Sequence, residues 1–316
     1  MRSLRAIITA AGLTTVSLLS QADESKREDQ KDPPLIAYAL QLPPDEIYDT
    51  GAPARRLRGA LFEIERHPPP RGAECSNTLG ASRFSAQYME VAIAREDMGE
   101  LDAAMEAANA ALACTPRDAS IYVTIADLHL LQGRIDAARA ALVRGAAIDP
   151  DDRDIDSLRA RVDFLEERWA DAAARFRAVM ADEVSGELHP YWQLFYWLSQ
   201  RRAGDRTPEL PPGPEKTDTE RTDDEDASVN WPAPVLAVLK GEKTEAQIIE
   251  LLGEPKRAFN RRQWLTEALY YVGELRLAEG DAQLARRYFA AVVNLKVSDY
   301  VEYAMARGEL ARMRRD

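Results

Sequence analysis

The sequence has few of the side chains on which catalysis depends. Its 316 residues include three histidines and two cysteines, and no H-E-x-x-H, C-x-x-C or glycine-rich phosphate-binding motif occurs. His67 and His189 each precede a proline, and His129 occupies an interhelical packing position, where we interpret it as structural. Hydrolases and transferases need a nucleophile, a base or a metal set that converges in space. We therefore predict that the protein is not an enzyme and has no catalytic residues, metal or cofactor.

Positive charge is also in short supply. The chain has 41 Lys and Arg against 53 Asp and Glu, a formal net charge of −12 and a pI near 5.0. Nucleic acid and anionic bilayers would be repelled at long range, so basic or neutral proteins are the expected partners. The DDEDAS run at 223–228 lies in a proline-rich stretch without enforced geometry. We interpret it as solvated charge and not as a cation site.

The N-terminus has the pattern of an export signal. Two arginines precede an apolar stretch from Ala6 to Leu19, and small residues follow at Ser20 and Ala22. This stretch is shorter than the ~20 residues that a membrane-spanning helix needs, so a retained anchor is the weaker alternative. No cysteine near the cleavage site could accept a lipid. We expect a signal peptide over 1–22, cleavage after Ala22, and a periplasmic product that is not lipidated and has no stable membrane anchor.

The two cysteines leave a choice open. In an oxidising compartment, Cys75 and Cys114 would form one disulfide between the segment before the repeats and the end of the first repeat. The alternative is that Cys114 is a small buried apolar residue at a helix end.

Internal repetition is the strongest signal in the chain. Residues 85–118 and 119–152 align position by position without a gap, and the matching pairs are Tyr88 with Tyr122, Ala92 with Ala126, Gly99 with Gly133, Ala104 with Ala138, and Pro116 with Pro150. Each type has a physical role: tyrosine packs one helix on its neighbour, alanine permits close approach, glycine accepts φ > 0 in the turn, and proline ends the unit. The pattern predicts consecutive helical hairpins.

Later copies are less regular. A third, degraded copy covers 153–186, with Glu167 where glycine is expected and the apolar set Ile155, Leu158, Val162 and Leu165 one residue early. A further helix is predicted within 187–203, followed by an acidic, proline-rich linker over 204–230. The C-terminal part, 231–316, contains a fourth copy over 266–299 and a closing helix from Asp299 to about Met313. We expect this last helix to cap the array and to direct Glu302, Arg307, Glu309 and Arg312 to solvent. Residues 23–84 form an N-terminal extension that we predict to be partly flexible and to which we assign no function.

The helix–turn–helix unit defined by this repeat length resembles the tetratricopeptide repeat (TPR) family. This resemblance implies an all-α fold in which helical hairpins form a right-handed solenoid with a C-terminal capping helix.

The C-terminal part resembles a narrower group, the NlpI family of bacterial envelope adaptors, over about 85–316. The resemblance rests on the run WPAPVLAVLKGE from Trp231, on the helix HPYWQLFYWLSQ, and on Phe289, Val292, Val293, Asn294, Val301, Glu302, Ala306, Glu309 and Leu310. It implies a periplasmic scaffold, usually a homodimer, that brings peptidoglycan hydrolases to a tail-specific envelope protease. The chain departs from the family in lacking the lipid-accepting cysteine and in having the acidic linker at mid-chain.

A solenoid of helical hairpins presents a concave face lined by the first helix of each pair. The register places nine residues there, namely Met89, Ile93, Glu96, Val123, Asp127, Leu130, Tyr270, Glu274 and Leu277. Apolar anchors among carboxylates suit a peptide or helix with basic residues, although some of these side chains could instead pack within the chain. The leading hypothesis is the NlpI-like adaptor. The alternatives are a general TPR assembly factor for an outer-membrane or secretion complex and an enzyme whose site lies in 23–84.

Overall fold

The structure is a computed structural model that describes residues 32–42, 51–69, 72–181, 189–211, 231–255, 260–298 and 300–314. The predicted signal peptide, the acidic run at 223–228 and most of the predicted linker lie outside these ranges.

Helices make up all the regular structure of the described residues, which confirms the all-α fold of the TPR type. The α-helices are α1 (Pro34–Ala39), α2 (Gly51–Arg66), α3 (Ala81–Glu96), α4 (Leu101–Cys114), α5 (Ala119–Leu131), α6 (Ile135–Ala146), α7 (Arg153–Leu165), α8 (Trp169–Met180), α9 (His189–Arg202), α10 (Ala233–Leu239), α11 (Glu245–Gly253), α12 (Arg261–Ala278), α13 (Ala282–Leu295) and α14 (Val301–Arg312). A short 3₁₀ helix covers Gly72–Asn77.

Helices α3 to α8 form three consecutive hairpins, which we call the array. The third hairpin keeps the period of the second, because α7 begins and ends one repeat length after α5, and α8 begins and ends one repeat length after α6. Burial follows the same register: Ile121, Leu128 and Leu130 of α5 correspond to the buried Ile155, Val162 and Phe164 of α7. The expectation that the third copy is shifted by one residue is therefore wrong.

The turn inside each hairpin explains how the third copy keeps its register without glycine. Gly99, Gly133 and Gly280 have φ angles of 73°, 70° and 85°, and Glu167 adopts the same left-handed conformation with φ 62°. A side chain in this region costs roughly 1–2 kcal/mol. The turn geometry is thus fixed by the packing of the two helices, and glycine is only its least strained occupant.

Helix starts in the array have local causes. The side chain of Asp118 accepts a hydrogen bond from Ser120 N at the start of α5, and that of Asp152 accepts bonds from Asp154 N and Ile155 N at the start of α7. These aspartates satisfy amides that have no partner inside the helix.

Cys75 and Cys114 form a disulfide bond, and their Cα atoms are 4.6 Å apart. Both residues are buried. The bond joins the 3₁₀ helix to the last residue of α4, so it attaches the segment before the array to the first hairpin.

Helices α9 to α14 form the C-terminal unit, joined to the array through packing of α9 on α8. Helix α12 is its centre, with contacts to α9, α10, α11, α13 and α14. Gly273 of α12 lies so close to α13 that a Cβ atom there would be 2.7 Å from Phe289 Cε1. This close approach requires glycine.

The predicted N-terminal extension divides between the two ends of the molecule. Helix α2 packs on α3, whereas α1 packs on α11, α12 and α13 of the C-terminal unit. Leu35 is fully buried there, its amide donates to Glu245 Oε2 at 3.1 Å, and Arg287 pairs with Asp32 at 2.5 Å. Part of the extension is therefore a structural element of the C-terminal unit.

Candidate binding site

The first helices of the second and third hairpins form the middle of the concave face. Helices α5 and α7 are in direct contact, and Arg161 Nη1 of α7 donates to Asp127 Oδ1 of α5 at 3.1 Å. These two residues are separated by one repeat length, so they occupy the same position in successive copies.

Helix α14 lies across this face. It packs on α12, α13 and α5. The segment before it reaches the first hairpin, where a Cβ on Gly99 would be 2.8 Å from Ser298 Oγ. At its other end, Arg312 Nη1 donates to Leu165 O at 3.0 Å and pairs with Glu167 at 3.4 Å. Much of the concave face is therefore covered by the chain's own last helix.

This arrangement corrects part of the sequence prediction. Leu130, Tyr270 and Glu274, which we expected to face a partner, are buried with exposed fractions of 2%, 0% and 0%. Leu130 packs within the array, and the other two lie on α12, which is enclosed by its neighbours. Met89, Glu96, Val123, Asp127 and Leu277 are partly buried, and Ile93 on α3 is exposed. The accessible apolar part of the predicted face is thus on α3.

A cavity of about 270 Å³ lies where the array, α9, α12 and α14 meet. Its lining includes four aromatic side chains, which we call the aromatic wall: Phe176, Tyr191, Trp192 and Phe195. It also includes four charged side chains: Asp127, Arg161, Glu267 and Glu302. We call this space the inner cavity. It combines apolar walls with a few converging charges, as small-ligand sites do.

The carboxylates of the inner cavity receive hydrogen bonds from neutral donors. Tyr191 Oη donates to Glu267 at 3.1 Å, and the indole nitrogen of Trp231 donates to the same carboxylate. Tyr271 Oη donates to Glu302 Oε1 at 2.6 Å. Within the described residues, neither glutamate forms an ion pair with Lys or Arg.

A second pair of buried glutamates lies two helical turns further along the same helices. Glu274 of α12 pairs with Arg202 at 2.9 Å, and Glu309 of α14 pairs with Arg312. The Arg202 guanidinium also lies over the Trp169 ring, 4.5 Å from its centroid. We call Glu274 and Glu309 the paired layer, and Glu267 and Glu302 the cavity layer.

Burial changes the proton affinity of these groups. Desolvation raises the pKa of Glu267 well above its ordinary value, and nearby Glu302 raises it further. Desolvation likewise raises the pKa of Glu302, against the effect of the Tyr271 hydrogen bond. At the rim of the same face, burial and then the charge of Asp127 raise the pKa of Glu96 to about 8. The concave face therefore holds acids that favour either a proton or a cation.

Glu302 and Glu309 also correct the prediction for the closing helix. Both were expected in solvent, yet they are 3% and 4% exposed, while Arg307 is exposed and Arg312 is intermediate. The reason is that α14 packs on α12, α13 and α5. These contacts cover more than one face of the helix, so its solvent-exposed face is narrower than predicted.

Several residues of this site were missed by sequence reasoning. Arg161 follows Asp127 by one repeat period. An alignment of the third copy without the one-residue shift would therefore have placed Arg161 on the concave face. Tyr191, Glu267 and Glu302 come from elements outside the array. No sequence signal links them, because their proximity depends on how α9, α12 and α14 fold back.

The histidines take no part in the inner cavity. His129 is partly buried on α5, and its pKa is lowered by burial and by the charge of Arg134. Among the residues that the structure describes, no three His, Cys, Asp or Glu side chains are grouped so that they could hold a metal ion. None of the helices in the described ranges combines the length and the apolar character needed to cross a membrane.

Comparison with known families finds a match within the array. The model of a tetratricopeptide repeat family matches residues 96–162, which run from the end of α3 to within α7. No curated protein matches the chain. Repeats of this family generally bind other proteins and are generally non-catalytic scaffolds, which indicates a protein-interaction scaffold here.

Proposed function

We propose that the chain is an exported adaptor of the periplasm that recruits a tail-specific envelope protease and peptidoglycan hydrolases through its TPR array. The observation that carries the proposal is the accessible apolar part of the first hairpin. Ile93 is 38% exposed on α3, next to the partly buried Met89 one turn earlier on the same helix. Because the first helix of each hairpin lines the binding face of a repeat protein, this apolar side chain offers a contact for a protein partner.

Charge indicates the chemistry of that partner. Glu96 lies one turn after Ile93, and Asp97 follows it. Asp97 pairs with Arg56 of α2 at 2.8 Å. An amphipathic partner helix with an apolar anchor for Ile93 and a basic residue for Glu96 fits this surface.

Two further features support export and the adaptor role. The segment 1–22 has the pattern of a cleaved signal, and the disulfide between Cys75 and Cys114 suits an oxidising compartment. The resemblance of the C-terminal part to the NlpI family supplies the identity of the expected partners.

Crosslinking in the native periplasm, followed by affinity purification of the full chain and mass spectrometry, tests this function. We expect a tail-specific protease and a peptidoglycan hydrolase to be recovered with the wild type and to be lost with Ile93→Glu. The matched control is Val143→Glu, since Val143 is 59% exposed but lies on α6, the second helix of its hairpin. Recovery that is equally reduced by both variants would contradict a specific surface on α3.

The same experiment separates the alternative, a general assembly factor for an outer-membrane or secretion complex. In that case the recovered partners are subunits of such a complex. Sequencing of the mature N-terminus, with Asp23 as the expected first residue, tests export independently.

A further inference from the structure

We propose that the inner cavity is a binding site for an alkylammonium group, with the ammonium held by Glu267 and Glu302 and the methylene stem against the aromatic wall. This inference is independent of the proposed function, because it rests on the cavity and not on the exposed part of α3.

The two glutamate layers have the same burial but differ in the charges around them. Each layer places one glutamate of α12 and one of α14 in the interior, and all four are at most 4% exposed. In the paired layer, Arg202 and Arg312 supply the compensating charge. A buried carboxylate without a cation is costly, since several kcal/mol of solvation are lost per ion. The cavity layer has the same burial, yet no cation of the described chain forms an ion pair with it.

Open space lies beside the glutamates of the cavity layer. The inner cavity borders on Glu267 and Glu302 and holds about 270 Å³, enough for a short aliphatic amine. In the paired layer, the side chains of Arg202 and Arg312 stand beside the glutamates. The cavity layer therefore has both features: its glutamates form no ion pair with a cation of the described chain, and the inner cavity lies beside them.

The walls decide the chemical class. Asp127, Glu267 and Glu302 contribute three acidic groups to the lining and Arg161 contributes one basic group, which disfavours an anion. Arg161 pairs with Asp127 at 3.1 Å; its charge lowers the pKa of Glu302, but it forms no ion pair with Glu267 or Glu302 within the described residues. Tyr191, Trp192 and Phe195 offer ring faces and edges on which a methylene stem packs and near which an ammonium is attracted.

An ammonium of this kind has two sources, a free diamine or a lysine side chain of a partner. Isothermal titration calorimetry on the full chain tests both, with 1,5-diaminopentane for the first and a short lysine-containing peptide for the second. The uncharged analogue 1,5-pentanediol is the matched control ligand. We expect at least one amine probe to bind and the diol not to bind. Binding of the peptide alone assigns the site to a partner, and binding of the diamine assigns it to a small molecule.

Three protein variants make the test specific. Glu302→Gln keeps an acceptor for Tyr271 but removes the charge, so we expect roughly tenfold weaker amine binding. Asp136→Asn, on a side chain that is 96% exposed, should bind as the wild type does. Glu309→Gln removes a charge from the paired layer and should retain most of the affinity. Equal thermal melting curves would show that a loss of binding is not a loss of fold.

Proton exchange gives a readout that a merely structural role would not produce. An ammonium that replaces protons on the glutamates releases them, so the binding enthalpy should change with the ionisation enthalpy of the buffer. Failure of both amine probes to bind, equal binding of the diol, or unchanged affinity in Glu302→Gln would each overturn the proposal. None of these outcomes affects recovery of a protease or hydrolase by the α3 surface.

Discussion

Helices α5 and α12 occupy the same place in the repeat pattern but have different surroundings. Asp127 of α5 and Glu274 of α12 are equivalent in register, yet the first is partly exposed and pairs with Arg161, whereas the second is fully buried and pairs with Arg202. Helix α5 lines the concave face, whereas α12 lies at the centre of the C-terminal unit. The position in the repeat therefore determines the direction in which a side chain points from its hairpin. Tertiary packing determines whether that side chain is exposed or buried and which residues it contacts.

The largest expected effect comes from breaking the paired layer. Arg202→Met leaves Glu274 without its cation in an interior position, so we expect a loss of about 3–5 kcal/mol in the free energy of unfolding. Urea denaturation measures it. The control is Arg83→Met, whose partner Glu63 is 44% exposed, and which should cost less than about 1 kcal/mol. Similar losses for the two variants would mean that the paired layer is not electrostatically important.

The second expected effect is a loss of stability as pH rises. A carboxyl group whose pKa is raised in the folded state binds more protons than in the unfolded chain. Its stabilising contribution is complete below the unfolded pKa, near 4.5, and is lost as pH rises through the folded value. For Glu96 that window extends to about pH 8. Glu267 and Glu302 act in the same direction.

Denaturation at about pH 6 and about pH 9 measures this effect, and we expect the lower stability at the higher pH. Glu302 faces Glu267, Arg161 and Asp127, so Glu302→Gln removes one titrating group and should flatten the profile. Asp136→Asn should leave the slope unchanged. A wild-type stability that increases over this range would contradict the direction of the shifts.

A third, smaller effect distinguishes two equivalent turns. Gly99→Ala and Gly280→Ala both place a side chain at positive φ, which costs about 1 kcal/mol in each case. Only Gly99 faces another element, since its Cβ would meet Ser298 Oγ, whereas nothing lies within 4 Å at Gly280. Thermal or urea denaturation should therefore show the larger loss for Gly99→Ala. In the double variant with Ser298→Ala the excess should disappear, and a persistent excess would contradict contact between this turn and the segment before α14.

The smallest effect is a gain at the turn of the third hairpin. Glu167→Gly relieves the left-handed backbone and gives up an exposed pair with Arg312, so we expect stabilisation of less than about 1 kcal/mol. A measurable loss instead would mean that the Glu167 pair with Arg312 holds α14 to the array.

The sequence predicted the hairpins well because their cause is local. The recurrence of Gly99 and Gly133 identifies the turns, and the recurrence of Ala92 and Ala126 identifies the buried side of the first helices. It did not predict that Glu167 adopts the conformation of glycine, since packing of the helices overrides the preference of one turn residue. The burial of Glu274, Glu302 and Glu309 was also not predictable, because it depends on contacts between helices that are far apart in the chain.

The attachment of α1 to the C-terminal unit has a mechanical consequence. In a repeat array each repeat contacts only its neighbours, so the two ends can move relative to each other and the curvature can change. Here α1 is anchored beside α13, α2 is anchored on α3, and α14 spans the array from the inside. These contacts join the C-terminal unit to the inside of the array, so we expect the curvature of the solenoid to be largely set before a partner binds.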